Sequence, residues 1–486
     1  MTTTPLIPVD DPNRDYGDRI AAVEPGGVEV IPLDERHGSP RQMLWTWTSP
    51  NMEFATIGVG ILGVLYWGLT FWQTVAAIAI GTAAGSLTQG ILSTWGPKDG
   101  LCQMVLSRTG FGFLGNILPA GLNAIIAGIG WFAVNSISGA LALHVLITGL
   151  PSQLCLLIVV LAQLGIAYFG HNLVHAFERY AFPVLTVIFV IAAVWVLGKS
   201  HPGVSPFTVN FPPPTLGGFL LMTGAAFGYA AGWNPYASDY TRYLEPTVKP
   251  IKVALYSGLG VFISCVVLEV AGAAAVTTLT PAQAGKTTIG PAIVTDLLPT
   301  WLGKLTLLAI FLGAICANVL NIYSGSLSFM ALGVKLPLHV ARAIVAVVLG
   351  LIGYAVAAHY LKDPSSYENF LLIIAYWIGP WLAVVFIDRW SRRDPAEIIA
   401  VAENPKHRNW AGPISMAIGG GIAIWLFANQ YPKYVGPIPT HHPAFGDITF
   451  EVGFVLTGLL YLVLRAVLKP TPAPTASAAP EAVDAG

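Results

Sequence analysis

The chain has 486 residues, of which 55% are hydrophobic and only 10% are charged, against about 25% charged residues in an ordinary soluble protein. This composition predicts a polytopic membrane protein and excludes an ordinary soluble domain. The net charge is -1, so nothing in the charge balance suggests nucleic acid or a polybasic membrane tether as a partner.

The two ends of the chain are polar. Residues 1 to about 40 carry charges of both signs and lack the basic start and short apolar core of a cleaved signal peptide. We therefore expect a mobile cytoplasmic tail over residues 1–42. Residues 469–486 are rich in Ala, Pro and Ser, which predicts a disordered cytoplasmic tail.

Between the tails lie about twelve apolar spans of helical length, each able to supply the roughly 20 residues that a bilayer crossing needs. Spans one to twelve are predicted near residues 43–68, 69–95, 115–148, 151–169, 179–199, 217–237, 251–278, 302–330, 338–361, 368–388, 412–429 and 447–468. With the amino terminus inside, thirteen Lys and Arg residues fall on inner loops and span ends, against five outside. The pattern predicts an all-α multi-pass protein of the cell membrane, with both termini cytoplasmic.

Two smaller features belong to the cytoplasmic side. The loop GPKDGLCQMVLSRTGFG (96–112) has a slight basic excess, and we expect it to form part of an inner gate or a structural clasp. His171 and His175 have a helical, metal-compatible spacing in a predicted cytoplasmic turn, but no third ligand is nearby, so no metal site is expected.

Span six is interrupted before it can cross a bilayer. Gly232 is followed by Trp233, Asn234 and Pro235, and the proline removes one backbone donor and clashes with the preceding turn. Freed backbone groups at membrane depth are tolerated where they line a cavity. The break therefore places Trp233 and Asn234 where an amphipathic solute could bind; a proline kink packed against its neighbours is the alternative.

Span one carries a similar interruption, WTSPN (47–51). Each broken span is the first of a five-span half, residues 43–199 and 217–390, and halves of five helices enter the membrane from opposite sides. The pattern predicts two inverted repeats with a transport site at the membrane midplane, followed by two additional helices over 412–468.

Spans three and eight carry amides at helical spacing. Trp131 and Asn135 lie one turn apart on one face of span three, an arrangement that suits a flat, hydrogen-bonding ligand. Asn318 and Asn321 share a face of span eight and can each donate and accept, as Asn does with a nucleobase edge. In both spans an amide that only holds two helices together is the alternative.

Only two carboxyl groups lie well inside the predicted spans, Glu53 in span one and Glu269 in span seven. A carboxyl at such depth can load and release a proton, and Glu53 beside the break is the first candidate for proton coupling; a protonated packing residue is the alternative. Asp239 and Arg242 at the inner end of span six are interpreted as an ion pair or gate latch. No Lys or Arg lies near the middle of spans one, three, six or eight, so an uncharged cargo is expected.

Four separated motifs, GPKDGLCQMVLSRTGFG, GWFAVN, FGYAAGWNPYASDYTRY and ANVLNIYS, resemble the nucleobase:cation symporter-1 family, most closely its purine-cytosine permease branch. The resemblance runs from about residue 40 to 468. It implies a LeuT-like fold of two inverted five-helix repeats plus two C-terminal helices, alternating access, and symport of nucleobases or related heterocycles with sodium or protons.

The resemblance also implies site residues, which fall here on Ser49, Trp131, Asn135, Trp233, Asn318 and Asn321. We add Asn51, Asn234 and Gly232 because they lie at the two breaks. Sodium-coupled members carry adjacent hydroxyl residues in span eight where this chain has Cys316 and Ala317, and neither supplies a hard oxygen ligand. Protons are therefore the expected coupling ion, with no metal or other cofactor.

The sequence thus predicts a monomeric, proton-coupled importer of cytosine and purine bases. The same fold could instead carry allantoin, a hydantoin, uracil, thiamine or pyridoxine, and a passive channel is a further alternative. A membrane-embedded enzyme is not expected, because no paired catalytic residues converge.

Overall fold

The computed structural model describes residues 27–471 except 170, 205–215, 286–288, 335, 337–339, 341–342, 345–346, 349, 361–366, 393 and 432. The described α-helices are Gln42–Thr48, Phe54–Leu65, Phe71–Ser93, Trp95–Asp99, Gln103–Leu106, Arg108–Phe111, Ile117–Ile125, Phe132–Leu146, Ser152–Phe169, His171–Lys199, Leu216–Ala231, Ala237–Thr241, Pro250–Val276, Pro281–Ala284, Ala292–Thr295, Thr300–Ala331, Gly350–Tyr360, Tyr367–Ser391, Pro395–Ala402, Ala411–Phe427, Pro437–His441 and Thr449–Leu468. Short 3-10 turns lie at Leu33–Glu35, Ser49–Asn51, Asn234–Tyr236 and Pro443–Phe445, and a π-helical turn lies at Ile126–Trp131. Asn429–Gln430 and Tyr434–Val435 form one antiparallel pair of strands.

A described helix lies at every predicted span, the ninth only over Gly350–Tyr360. Seven described segments are long and apolar enough to cross a membrane alone: Phe71–Asp99, Ile117–Leu146, His171–Lys199, Pro250–Val276, Thr300–Ala331, Asn369–Ser391 and Thr449–Leu468. The chain is therefore an all-α multi-pass membrane protein, as predicted. The count of twelve spans, their division into repeats and the cytoplasmic position of both termini stay predictions.

Span five differs from the prediction. Its helix begins at His171 rather than near residue 179, so His171 and His175 lie within a helix and not in a turn. Glu178 is also inside the span and is fully buried. The prediction that only Glu53 and Glu269 lie well inside the spans is therefore wrong. The stretch HNLVHAFERY is polar, so a prediction based on hydropathy starts the span too late.

The amino-terminal residues also differ from the prediction where they are described. Residues 27–42 pack on the loop 96–112 instead of forming a mobile tail, and the Ile31 backbone N–H donates to the Gly100 carbonyl at 3.0 Å. The tail predictions for residues 1–26 and 472–486 lie outside the described residues.

The loop 96–112 connects the ends of three spans. Arg389 at the end of span ten forms an ion pair with the buried Asp99 carboxylate at 2.6 Å. The Gln103 backbone N–H donates to Asp239 at the end of span six at 2.9 Å. These contacts join spans two, six and ten on the side that the sequence predicts to be cytoplasmic, and we call this set of contacts the clasp.

Arg242 extends this clasp. Its guanidinium donates to the Gly27 carbonyl at 2.8 Å and to the Tyr323 hydroxyl at 3.2 Å, so it ties the inner half of span six to span eight and to the amino-terminal segment. Asp239 and Arg242 therefore both hold this end of span six. The ion pair or gate latch expected of them stays a prediction.

Glycines allow spans seven and eight to pack closely against span one around its break. A Cβ at Gly60 would collide with the backbone carbonyl of Glu269 in span seven, and one at Gly313 of span eight would collide with the Met52 carbonyl. Backbone cannot yield as a side chain does, so only glycine allows these approaches. The break is consequently enclosed by spans seven and eight.

Candidate substrate site between two broken helices

Span one is broken where the sequence predicts it. Its first helix ends at Thr48, and Ser49–Asn51 form a 3-10 turn with Pro50 inside it. Glu53 is fully extended, with φ -149° and ψ 178°, and the second helix begins at Phe54. The helical hydrogen bonds are thus interrupted over residues that are all buried.

Span six is broken in the corresponding way. Its long helix ends at Ala231, and the 3-10 turn Asn234–Tyr236 separates it from the short helix Ala237–Thr241. The Trp233 indole N–H donates to the Asn51 amide oxygen at 2.9 Å. One side-chain hydrogen bond therefore joins the two breaks directly.

Three amides of spans three and eight form a cluster centred on Asn318. The Asn318 Nδ2 donates to the Phe132 carbonyl at 2.9 Å and to the Ser136 hydroxyl at 3.2 Å. A carbonyl can only accept, so the first bond fixes which way the Asn318 amide faces. Its Oδ1 in turn accepts from Asn135 Nδ2 at 3.0 Å and from Asn321 Nδ2 at 3.2 Å.

This arrangement leaves two acceptors free. Asn135 and Asn321 each donate an N–H to Asn318, and among the described residues neither of their Oδ1 atoms has a hydrogen-bond partner. Both side chains are buried, and a buried acceptor without a donor costs about 1–3 kcal/mol. Asn318 thus joins two helices, the packing role left open above. Asn135 and Asn321 each keep an oxygen without a partner among the described residues, and their contact with substrate stays a prediction.

Two indoles flank the break in span six. Trp131 ends the π-helical turn of span three, a distortion frequent at functional sites. A Cβ at Gly232 would lie 3.2 Å from its ring, so the break packs directly on Trp131. Its ring also meets Tyr229 edge-on at 5.4 Å, while Trp233 packs on Trp47 at 5.9 Å. Trp131 and Trp233 are both only 7% exposed.

Three residues that were expected to contact substrate are hydrogen-bonded to other groups of the protein. The Ser49 hydroxyl donates to the Glu178 carbonyl at 3.1 Å, Asn51 donates to the Trp47 carbonyl at 2.7 Å, and Asn234 donates to the Thr88 hydroxyl at 2.7 Å. The structure uses all three to hold the breaks in place. Their contact with substrate stays a prediction.

Three buried carboxyl groups surround the broken spans. Glu269 accepts from the Thr82 hydroxyl at 3.0 Å, and Glu53 lies beside Ser138. Glu178, missed by the sequence reasoning, has no hydrogen-bond partner at either carboxylate oxygen among the described residues. Its sequence signal is the spacing from His171 and His175, which puts all three residues on one helix face.

The histidines do not form a metal site in the described part of the chain, where no three His, Cys, Asp or Glu side chains are grouped to hold an ion. The rings of His171 and His175 stack, with an interplanar angle of 4°. All four cysteines are free and buried.

Comparison with known proteins gives concordant results. The sequence model of the family described as permease for cytosine/purines, uracil, thiamine, allantoin matches residues 30–402. The purine-cytosine permease fcyB of Emericella nidulans is 29% identical over 480 residues, which cover 93% of this chain and 92% of that protein. The vitamin B6 transporter TPN1 of Saccharomyces cerevisiae is 25% identical over 382 residues, or 75% of this chain and 65% of that protein.

A solved structure shares the fold. Mhp1, a nucleobase-cation-symport-1 family transporter in a closed conformation with bromovinylhydantoin bound, superposes with a TM-score of 0.71 at 18% identity, covering 92% of this chain and 96% of that chain. At this identity the likeness speaks for the fold alone. It is the LeuT-like transporter fold that the broken spans predict.

Proposed function

The chain belongs to the cytosine/purine permease family of nucleobase:cation symporters, and from this premise we propose that it imports cytosine and purine bases by proton symport through alternating access. It is a transporter of nucleobases or related compounds and not an enzyme, like its relatives. The purine-cytosine permeases among those relatives support the choice of substrate.

The observation that carries the proposal is the pair of unpartnered amide oxygens on Asn135 and Asn321. Cytosine presents its N4 amino group as a donor and adenine its N6 amino group, so either base can satisfy a buried acceptor. A base without a donor at that position leaves the oxygen unpaired and is rejected, because a buried acceptor without a partner is costly.

The two indoles supply the second part of the site. A flat base stacking on Trp131 and Trp233 would gain roughly 1–3 kcal/mol per stacked face. Stacking is tolerant of base identity, since every base has a π-face. Selectivity among bases therefore falls to the amides and affinity in large part to the indoles.

Proton coupling follows from the chemistry near span eight. Cys316 and Ala317 offer no hard oxygen ligand for sodium, whereas three buried carboxyl groups lie around the broken spans. The cargo carries no charge, so the proton would be the only charge that moves with it. The protein would act as a monomer in the cell membrane, with both termini cytoplasmic.

The test is counterflow of labelled cytosine in proteoliposomes containing the purified protein. Adenine, which carries an amino donor like that of cytosine, should compete. Uracil, which has an oxygen in that position, should not compete, and neither should allantoin, hydantoin, thiamine or pyridoxine. If only one of the compounds expected not to compete inhibits counterflow, that compound would be the substrate in place of cytosine and the purines. A protonophore should abolish accumulation above equilibrium, and persistence of accumulation would contradict proton coupling.

A pair of variants tests whether the base binds at Trp233. Trp233→Ala should abolish saturable uptake, whereas Trp425→Ala, at a lipid-facing side chain that is 61% exposed, should leave it intact. Uptake by Trp233→Ala with unchanged affinity would show that the base binds elsewhere.

A further inference from the structure

Glu178 lies about two turns into span five, where this span passes the break in span one. It is fully buried, and its backbone carbonyl accepts from the Ser49 hydroxyl at 3.1 Å. The Ser49 hydroxyl is also bonded to the Trp45 carbonyl at 2.9 Å. The carboxyl is thus held beside the point at which span one loses its helical hydrogen bonds.

The surroundings of this carboxyl are polar but provide no cation. The Ser49 hydroxyl and the Cys316 thiol lie beside it, and the Tyr240 phenol interacts with it from the inner half of span six. The Ser49 hydroxyl donates to backbone carbonyls, and within the described part of the chain no donor meets either Glu178 oxygen with full hydrogen-bond geometry. A charge without partners is costly at this depth, and the arrangement suits a carboxyl that gains and loses a proton.

The other two buried carboxyl groups have different settings. Glu269 is bonded to Thr82 of span two and interacts with Cys265 of its own span. Glu53 lies beside Ser138 of span three. Glu53 belongs to the broken segment of span one and also interacts with the thiol of Cys316, two residues before Asn318 in span eight. Glu178 differs in that it reaches this thiol and the turn of span one from a separate helix, span five. Its charge therefore acts on the contact between the broken span and the helix that carries the amide cluster.

A row of ionisable groups leads from Glu178 towards the cytoplasm. His175 and His171 precede it by three and seven residues, so they share its helix face. His175 is hydrogen-bonded to the Thr46 hydroxyl at 3.2 Å, and the His171 ring stacks on Tyr243 at 4.0 Å. A proton released at Glu178 has imidazole groups along its way to the inner side.

We infer that Glu178 is the proton-binding site that couples base transport to the proton gradient, an inference that rests on the symport proposed above. A proton from the outer solution binds the Glu178 carboxylate and gives the neutral carboxyl. In the inward-open form the same proton leaves along the histidine face to cytoplasmic water, and the carboxylate is restored. One positive charge moves inward with each neutral base.

The experiment separates coupling from transport in proteoliposomes. Labelled cytosine is exchanged against unlabelled internal cytosine at equal pH, and is separately accumulated under an inside-alkaline gradient, where one proton per base supports about tenfold accumulation per pH unit. Glu178→Gln should keep the exchange and its ranking of competing bases but fall to an accumulation ratio of about one. Glu178→Asp should restore accumulation, with a shifted dependence on external pH.

Matched Glu→Gln variants complete the design. Glu451→Gln, in span twelve outside the ten-span core, should accumulate cytosine as the parent does. Accumulation of cytosine by Glu178→Gln at the parental ratio would overturn the inference. So would a result in which Glu53→Gln or Glu269→Gln loses accumulation while Glu178→Gln keeps it. If Glu178→Gln does not fold, an unchanged pH profile in Glu178→Asp overturns it. Absence of cytosine exchange in the parent protein would instead refute the proposed function.

Discussion

Replacing Asn318 by Ala tests the division of roles in the amide cluster. The side chain makes four hydrogen bonds of 2.9–3.2 Å, and side-chain hydrogen bonds in membrane proteins average about 0.6 kcal/mol. Asn318→Ala should therefore lower the stability of the protein by about 2 kcal/mol, plus a cost for the cavity. The protein should still fold.

The larger effect should be on substrate affinity. Without Asn318 the amides of Asn135 and Asn321 lose the bond that orients them, and ordering a freed side chain costs about 0.5–1.5 kcal/mol. Two such side chains give about 1–3 kcal/mol, so cytosine should bind roughly 5- to 150-fold more weakly.

The assay is the cytosine concentration that half-inhibits counterflow, measured for each single variant and for the double variant Asn318→Ala/Asn321→Ala. Because Asn318 acts through its neighbour, its loss should matter less in the Asn321→Ala background. Ser326→Ala is the matched control, since this buried hydroxyl bonds only to the Ile322 carbonyl of its own helix at 2.7 Å. Additive effects, or an unchanged affinity in Asn318→Ala, would refute the positioning role.

Three further predictions concern the scaffold. Gly60→Ala would push a Cβ into a backbone carbonyl of span seven and should lower stability by about 1–3 kcal/mol. The control Gly421→Ala, where no described atom lies within 4 Å of the added Cβ, should leave stability unchanged. Equal melting temperatures of the two variants would contradict the packing argument. Arg389→Ala strands the buried Asp99 carboxylate and should cost about 3–5 kcal/mol in thermal unfolding, partly recovered in Arg389→Lys. Burial lowers the pKa of His407, so below about pH 6.5 the unfolded chain takes up a proton that the folded chain refuses, and stability falls as pH drops towards the lowered pKa. His407→Gln should flatten that decline; an identical pH profile would show that another group causes it.

The sequence was sufficient for the parts of the fold that follow from apolar length and from proline. Spans of about 20 apolar residues and the motifs around Pro50 and Pro235 predicted the helices and both breaks, because a missing donor in a membrane has few structural solutions. The start of span five was not predictable in this way. Its first turns are polar and their burial depends on contacts with Ser49 and Tyr243, which lie far away in the chain.

The site shows the same limit. Sequence spacing placed Asn318 and Asn321 on one face but could not say which amide would be satisfied by protein and which would keep a free oxygen. That depends on the Phe132 carbonyl, a backbone group of another span. Likewise, the family resemblance predicts that Ser49 contacts substrate, and the break in span one predicts it for Asn51. The hydrogen bonds of both side chains to backbone carbonyls appear only in three dimensions.

The position of Cys316 relative to Asn318 suggests how coupling and recognition can be separate and yet communicate. Two residues apart on an α-helix means about 200° of rotation, so the thiol beside Glu178 and the amide cluster lie on nearly opposite faces of span eight. In the proposed mechanism the amides would read the base on the side of span three, and the Glu178 carboxyl would act on the break in span one on the other side. A tilt of span eight would move both contacts together, because a helix transmits displacement as a rigid body. Neutralising Glu178 would then change the energy of the tilt without changing which base the amides accept.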